Sequence, residues 1–493
     1  MNGDAKEGVS RDVPPSDAAV LPAFVSAATA KFDSNPKLKL AQNTVCRLDV
    51  RDVLMKRTVT ATYNHNYSVK VPQEGKVTDQ KQTGRCWLFA ALNIMRLGVM
   101  KKYSLPDDFE LSQSHLFFWD KLEKANYFLE NVLLTLKEPL ECRLMQHLLK
   151  EPLCDGGQWD MLANLVRKYG VVPKSVYGES VTSSKSYAVN RFLTIKLREY
   201  TLRLRSTAEE HGAASPEVKA AKEAMLEEVH TAMLVHFGPV PGPEDMFEWV
   251  FTDKDKGFHR ITGLTPLSFV EEHVELKVEE VASLIHDPRN PYYASYSVSY
   301  LGNVVGGAPI RYINVPVEEL KRYAMEQLDK GEPVWMGVDV FKEFHGDLGV
   351  LDTNLYDYGL VYGTELGMTK KERLLTGESL MSHAMVFTGY DKREGEEFPN
   401  KWRVENSWGD SRGDKGYFMM TDDWFSAYAF QIVVNKKDLE DKLKPLLTDE
   451  PILLPAWDPM GSLAAVRDPS SAASTMDLES GGMSAPLGHR SRM

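Results

Sequence analysis

Apolar side chains fill most of the stretch that begins at Cys86: Trp87, Leu88, Phe89, Ala90, Leu92, Ile94 and Met95. The pattern predicts a helix from Cys86 to about Lys102, apolar around most of its circumference and therefore buried. Gly84 supplies the turn into it. A second helix is expected from Ser112, whose hydroxyl suits an N-cap, and a third after a turn over 154–160 that holds Gly156 and Gly157. Ser215 precedes Pro216, the pairing that opens helices, and Ala220, Met225, Val229, Met233 and Leu234 recur behind it at helical spacing. Beyond residue 270 the pattern changes to short segments at 333–340, 384–390, 401–405 and 430–435, with a shorter one at 416–420. Each reads as a strand.

Helices in one half and strands in the other predict an α+β fold. Residues 1–19, polar and carrying Pro14-Pro15, read as a flexible arm, 20–180 as a helical half, and 266–440 as a β-rich half. Between the halves, residues 181–265 read as a helical insertion, with 441–464 and 465–493 following at the far end.

The chemistry concentrates at the junctions of these elements. A cysteine at a helix N-terminus meets unpaired backbone N–H groups and the positive end of the macrodipole, both of which favour the thiolate. Gln80, six residues upstream, carries a side-chain amide able to donate to a developing oxyanion. Taken alone, Cys86 reads equally as an inert core cysteine. His383, at the mouth of the 384–390 strand, and Asn406, just after the 401–405 strand, supply what such a thiol needs. One is a base, and the other is a neutral acceptor that fixes the base's tautomer. Trp408 is expected to cover their hydrogen bond.

In this order, Gly84-Arg85-Cys86-Trp87, Ser382-His383-Ala384 and Asn406-Ser407-Trp408-Gly409 resemble the papain-like cysteine peptidases. Ile452 to Gly461, with Pro455-Ala456-Trp457-Asp458-Pro459, narrows the likeness to the bleomycin hydrolase and aminopeptidase C group. The resemblance covers roughly residues 20–464. It implies a two-part fold with a cleft between the halves, the Gly156-Gly157 pair as substrate-binding backbone, and no metal or cofactor. It further implies aminopeptidase action on peptides, with bleomycin-like amides as incidental substrates, and the 181–265 insertion as an arm that builds a homohexamer. Papain itself has about 130–150 residues between its Cys and His; here the gap is 383 − 86 = 297, so about 150 residues are inserted between them, the 181–265 segment among them.

In the group, the 441–464 arm places its terminal carboxylate in the cleft, where a substrate α-amine meets it. Here 493 − 464 = 29 residues follow Ala464, including six Ser, four Ala, three Gly and two Pro but no aromatic, a composition of disordered chain. Either the segment is trimmed near Ala464 or it blocks and redirects the cleft; trimming is the expectation. An endopeptidase unconstrained by the tail is the alternative, and a transglutaminase-like acyltransferase fits less well because of Asn406.

Composition adds limits. The net charge of −12 opposes nucleic-acid binding by the whole chain. One basic cluster, Lys185, Arg191, Lys196, Arg198, Arg203 and Arg205, faced in sequence only by Glu199, leaves it as a weak option for a hexameric channel. Four cysteines without a C-x-x-C pair suit a reducing compartment, so a cytoplasmic protein is expected. The apolar runs are too short for a membrane span.

Overall fold

The computed structural model describes residues 18–463. The 1–19 arm therefore lies outside the described residues except for its last two positions, and Ala464 and the 465–493 segment lie outside them entirely. Two compact units divide the chain. The smaller joins Met1–Tyr63 to Asn354–Gly367. Its helices Pro22–Asp33 and Pro36–Val45 each start on a proline, and the Asn35 side chain caps the second by accepting from the Lys37 and Leu38 backbone N–H groups. Leu54, Leu355, Tyr356 and Val361 form its core.

The larger unit joins Asn64–Thr353 to Met368–Met493. Its central helix, Cys86–Tyr103, is buried on nearly every side and ends on Ser104 in the left-handed region. Ser112 caps Gln113–Leu134 through the His115 N–H, and Trp159–Tyr169 follows the glycine turn. A 12-stranded sheet forms the other layer, running Ala429–Asn435, Val334–Val338, His383–Asp391, Lys401–Glu405, Tyr417–Thr421 through its middle. Val334–Val338 and His383–Tyr390 are buried throughout, hence their unbroken apolar runs.

Lys401–Glu405 alternates instead. Trp402 and Val404 enter the sheet's core, while Glu405 on the opposite face accepts from Asn93 Nδ2 (2.9 Å) and Arg96 Nη2 (3.2 Å) of the Cys86–Tyr103 helix. These bonds hold the middle of that helix in register with the strand that leads into Asn406. A buried ion pair broken on one side costs about 3–5 kcal/mol, so the junction is stiff.

The 181–265 segment is helical over Tyr187–His211 and Pro216–Phe237, which pack on each other and on Gln113–Leu134. It differs from the sequence reading in three ways. It also contains an antiparallel hairpin, Phe247–Thr252 with Phe258–Leu264, built around buried Trp249. The buried stripe of Pro216–Phe237 is Val218, Met225, Val229, Met233 and Phe237, with Ala220 and Leu234 facing outward. Finally, the basic cluster is not opposed by Glu199 alone. Lys196 and Arg203 share Glu199 with Glu228 of the neighbouring helix. Arg198 and Arg205 donate to backbone carbonyls at Leu149, Lys150, Thr135, Leu136 and Glu138.

Candidate active site

The Cys86–Tyr103 helix begins at Cys86 itself, as its pattern predicts, and the side chain is buried at 2% exposure. Its thiol makes one weak contact, 3.9 Å to the Gly84 carbonyl. Cys86 shares a cleft wall with His383, Ala384, Gly157, Gln158 and Met381. His383 opens its strand opposite Val338. Its Nε2 lies 2.8 Å from Asn406 Oδ1. A carbonyl oxygen can only accept, so Nε2 carries the proton and Nδ1 is left bare for the cleft. Asn406 Oδ1 also accepts from the Ser407 N–H at 2.7 Å, which fixes the amide's orientation. The Trp408 ring covers the imidazole with centroids 4.9 Å apart, and Phe341 stacks on its other side.

Gln80 is stitched to the same strand end. Its backbone N–H donates to Ser407 O (2.8 Å), and its Oε1 accepts from Ser407 Oγ (2.7 Å). With the carbonyl so fixed, Nε2 points back into the turn and gives one N–H to Thr83 O at 2.6 Å. Among the described residues the second N–H of that amide and the backbone N–H of Cys86, a helix-terminal donor, have no oxygen acceptor. Ser407 was legible only as part of a motif; its grip on Gln80 carries no sequence signal.

The electrostatics at Cys86 set burial against the helix N-terminus. Burial pushes the thiol up to about 11, outweighing the backbone N–H groups of Ala384, Trp87 and Cys86 itself, which favour the thiolate. Burial likewise pulls His383 down to about 4, against the Asn406 bond. A lone charge on either group is thus penalised. Passing the thiol proton to the imidazole creates both charges together, and their attraction opposes that penalty.

The two glycines differ. Gly157 lines the cleft, and a Cβ added there would lie 2.6 Å from the Trp87 ring. Close approach to Trp87 is one physical requirement for glycine at this position. Gly156 instead turns its carbonyl to Lys124 Nζ at 2.6 Å. Replacing Gly157 by alanine is expected to displace Trp87 and to destabilise the fold by about 1–3 kcal/mol, read as a lower urea midpoint; an unchanged midpoint would show that the ring has room to move.

The chain's far end reaches the same cleft. Ile452–Leu454 pairs in parallel with Ala294–Val298, and Arg289 pins Asp458 at 2.7 Å. Tyr312 Oη donates to Met460 O at 3.2 Å. Gln158 Nε2 then donates to Ser462 O at 3.1 Å, which draws Ser462 and Leu463 into the wall beside Cys86. About 10 Å³ of cavity remains there, on the order of one water. Gln158 was not singled out from the sequence; no pattern marks a single amide that anchors a distant segment. Ala464, the position expected to meet substrate, lies outside the described residues.

Comparison with known proteins matches residues 20–461 to the Peptidase C1-like family. The chain is 46% identical over 449 residues to bleomycin hydrolase of Mus musculus, covering 89% of this chain and 98% of that one. It is 45% identical to the Homo sapiens bleomycin hydrolase with the same coverage. It is 40% identical to aminopeptidase C of Lactobacillus delbrueckii subsp. lactis, covering 90% and 95%. The crystal structure of PepW from Lactobacillus rhamnosis HN001 superposes with a TM-score of 0.88 at 41% identity, over 91% of this chain and all of that one.

Proposed function

Because this chain belongs to the Peptidase C1-like family, we propose that the cleft at Cys86 is the site of a cysteine-type aminopeptidase that removes N-terminal residues from peptides. The protein is a papain-like cysteine peptidase of α+β fold, similar over most of its length to bleomycin hydrolases and aminopeptidases C. What carries the assignment of residues is the 2.8 Å His383–Asn406 bond, which leaves one imidazole nitrogen bare in the cleft that Cys86 lines.

In the proposed reaction His383 Nδ1 takes the Cys86 proton and the sulfur attacks the scissile carbonyl carbon. The oxygen that gains charge is met by the Cys86 N–H and the second N–H of Gln80, each donor worth roughly 3–4 kcal/mol of transition-state stabilisation. The imidazolium returns its proton to the leaving amine. A water, deprotonated by His383, then displaces the thiolate from the acyl-enzyme. Asn406 holds the ring in the required tautomer, and Trp408 keeps water from that bond.

Ser462 and Leu463 in the cleft wall support restriction to free N-termini. A carboxylate created by cleavage near Ala464 would follow directly on Ser462 and Leu463 in the chain and could meet a substrate ammonium, and a buried carboxylate without a cation is costly. On one purified sample, we expect turnover of aminoacyl-coumarins with a free amine and none of their N-acetyl forms, with an intact mass that ends near residue 464. Turnover of blocked substrates would instead favour an endopeptidase.

Assembly into a homohexamer is proposed from the resemblance and from the exposed apolar side chains of the insertion, among them Phe192, Leu202, Val235, Met246 and Phe258. A cytoplasmic location is proposed from the four cysteines, which are all free among the described residues. No described helix is long and apolar enough to cross a membrane. Nucleic-acid binding has the weakest support, because Lys196, Arg198, Arg203 and Arg205 already have partners within the chain.

A further inference from the structure

Behind the turn that carries Cys86 lies Asp155, completely buried. Its carboxylate accepts from the Gly84 N–H (2.9 Å), Lys121 Nζ (2.6 Å), Ser186 Oγ (2.5 Å) and Asn190 Nδ2 (2.7 Å). Its main-chain oxygen accepts from Trp87 Nε1 at 2.8 Å. One residue thus grips the chain on both sides of Cys86. Two of its donors, Ser186 and Asn190, belong to the root of the insertion.

The same root touches the turn twice more. The Gln82 N–H donates to Ser184 O at 3.1 Å. Arg85, with no exposed surface, places Nη1 at 3.0 Å from both carboxylate oxygens of Glu179, and Glu179 also accepts from Ser183 Oγ. From Gln80 to Trp87 the turn is therefore held by Ser407 on the sheet side and by Asp155 with residues 179–190 on the other.

Resting on the reading of Cys86 as nucleophile and of its N–H and Gln80 as oxyanion donors, we infer that Asp155, Glu179 and the insertion root from Ser183 to Asn190 are positioning residues for the oxyanion hole. Donors serve a transition state only when aimed before the charge appears, and a misplacement of about 1 Å costs on the order of a hundredfold in rate. Asp155 suits this task because its donors occupy both oxygens and its charge is balanced. Burial alone would raise its carboxyl, but Lys121, Ser186 and Gly84 bring it down to about 2, so it is ionised wherever the enzyme works. The insertion is then part of the catalytic apparatus as well as an appended arm.

The test separates positioning from general packing. Ser186→Ala/Asn190→Ala removes the insertion's two donors and leaves the Asp155–Lys121 pair and the Gly84 bond. Two rates are measured on the full chain: kcat/KM for an aminoacyl-coumarin, which builds an oxyanion, and alkylation of Cys86 by iodoacetamide, which builds none. We expect kcat/KM to fall about tenfold or more while the alkylation rate stays within about twofold. Equal falls in both, or no fall in kcat/KM, would overturn the inference. If alkylation of Cys86 leaves wild-type turnover intact, the nucleophile assignment fails first, and that control is read before the variant. Ser186→Ala alone, which removes one donor, gives the same comparison should the double variant not fold; there too an unchanged ratio of the two rates overturns the inference.

Discussion

Replacing Cys86 with alanine is expected to lower kcat for an aminoacyl-coumarin by about a millionfold, the scale on which hydrolases lose activity with their nucleophile. The fold should survive. The side chain is small, its thiol donates only a long 3.9 Å bond to Gly84 O, and an average substitution costs about 1 kcal/mol. The circular-dichroism spectrum should therefore match wild type, with a melting temperature within a few degrees. Cys154 provides the control. It is partly exposed and near the glycine turn, but its thiol is raised by burial and its hydrogen bond goes to the Gly156 carbonyl, not to a histidine. Cys154→Ala is expected to keep turnover. If Cys86→Ala retained a tenth of wild-type activity, or Cys154→Ala lost it, the thiol assigned to attack the carbonyl would be the wrong one.

The sequence made the ends of the catalytic elements legible because each is marked by a break in periodicity. Cys86 follows a glycine turn into an unbroken apolar run, and the helix starts on that residue. His383 and Asn406 stand at the margins of strand-like segments, and the structure places both at strand ends, one hydrogen bond apart. Contacts between distant segments left no such mark. Nothing local ties residues 354–367 to the N-terminal helices with which they cluster, and nothing announces that Gln158 holds Ser462. Nor did the hairpin around Trp249 show, because its strands expose most of their residues and so lack a long apolar run. The balance at Cys86 is illegible for a different reason. A helix N-terminus can be read from sequence, whereas the depth at which the thiol is buried cannot, and depth dominates here.

That depth makes His383 decisive for reactivity at neutral pH. In a His383→Ala variant the thiol has no proton acceptor and titrates with its burial-raised value of about 11. At pH 7 the thiolate fraction is then about one in ten thousand, from 11 − 7 = 4 units. Wild type behaves differently, since a cysteine paired with imidazole holds its thiolate far into the acid range, with values of about 3.5–7.5. Alkylation of Cys86 by iodoacetamide should accordingly be nearly flat around neutrality in wild type. It should decline in acid, where the sulfur of the thiolate–imidazolium pair takes up a proton. In the variant the rate should rise about tenfold per pH unit from 7 to 10 and start on the order of a thousandfold or more below wild type. The sign follows from the direction of the burial effect: removing the histidine exposes a thiol that resists ionisation. A variant alkylated at the wild-type rate at pH 7 would mean that the helix terminus and the Ala384 N–H alone ionise the sulfur, and that His383 enters the reaction only to protonate the leaving amine.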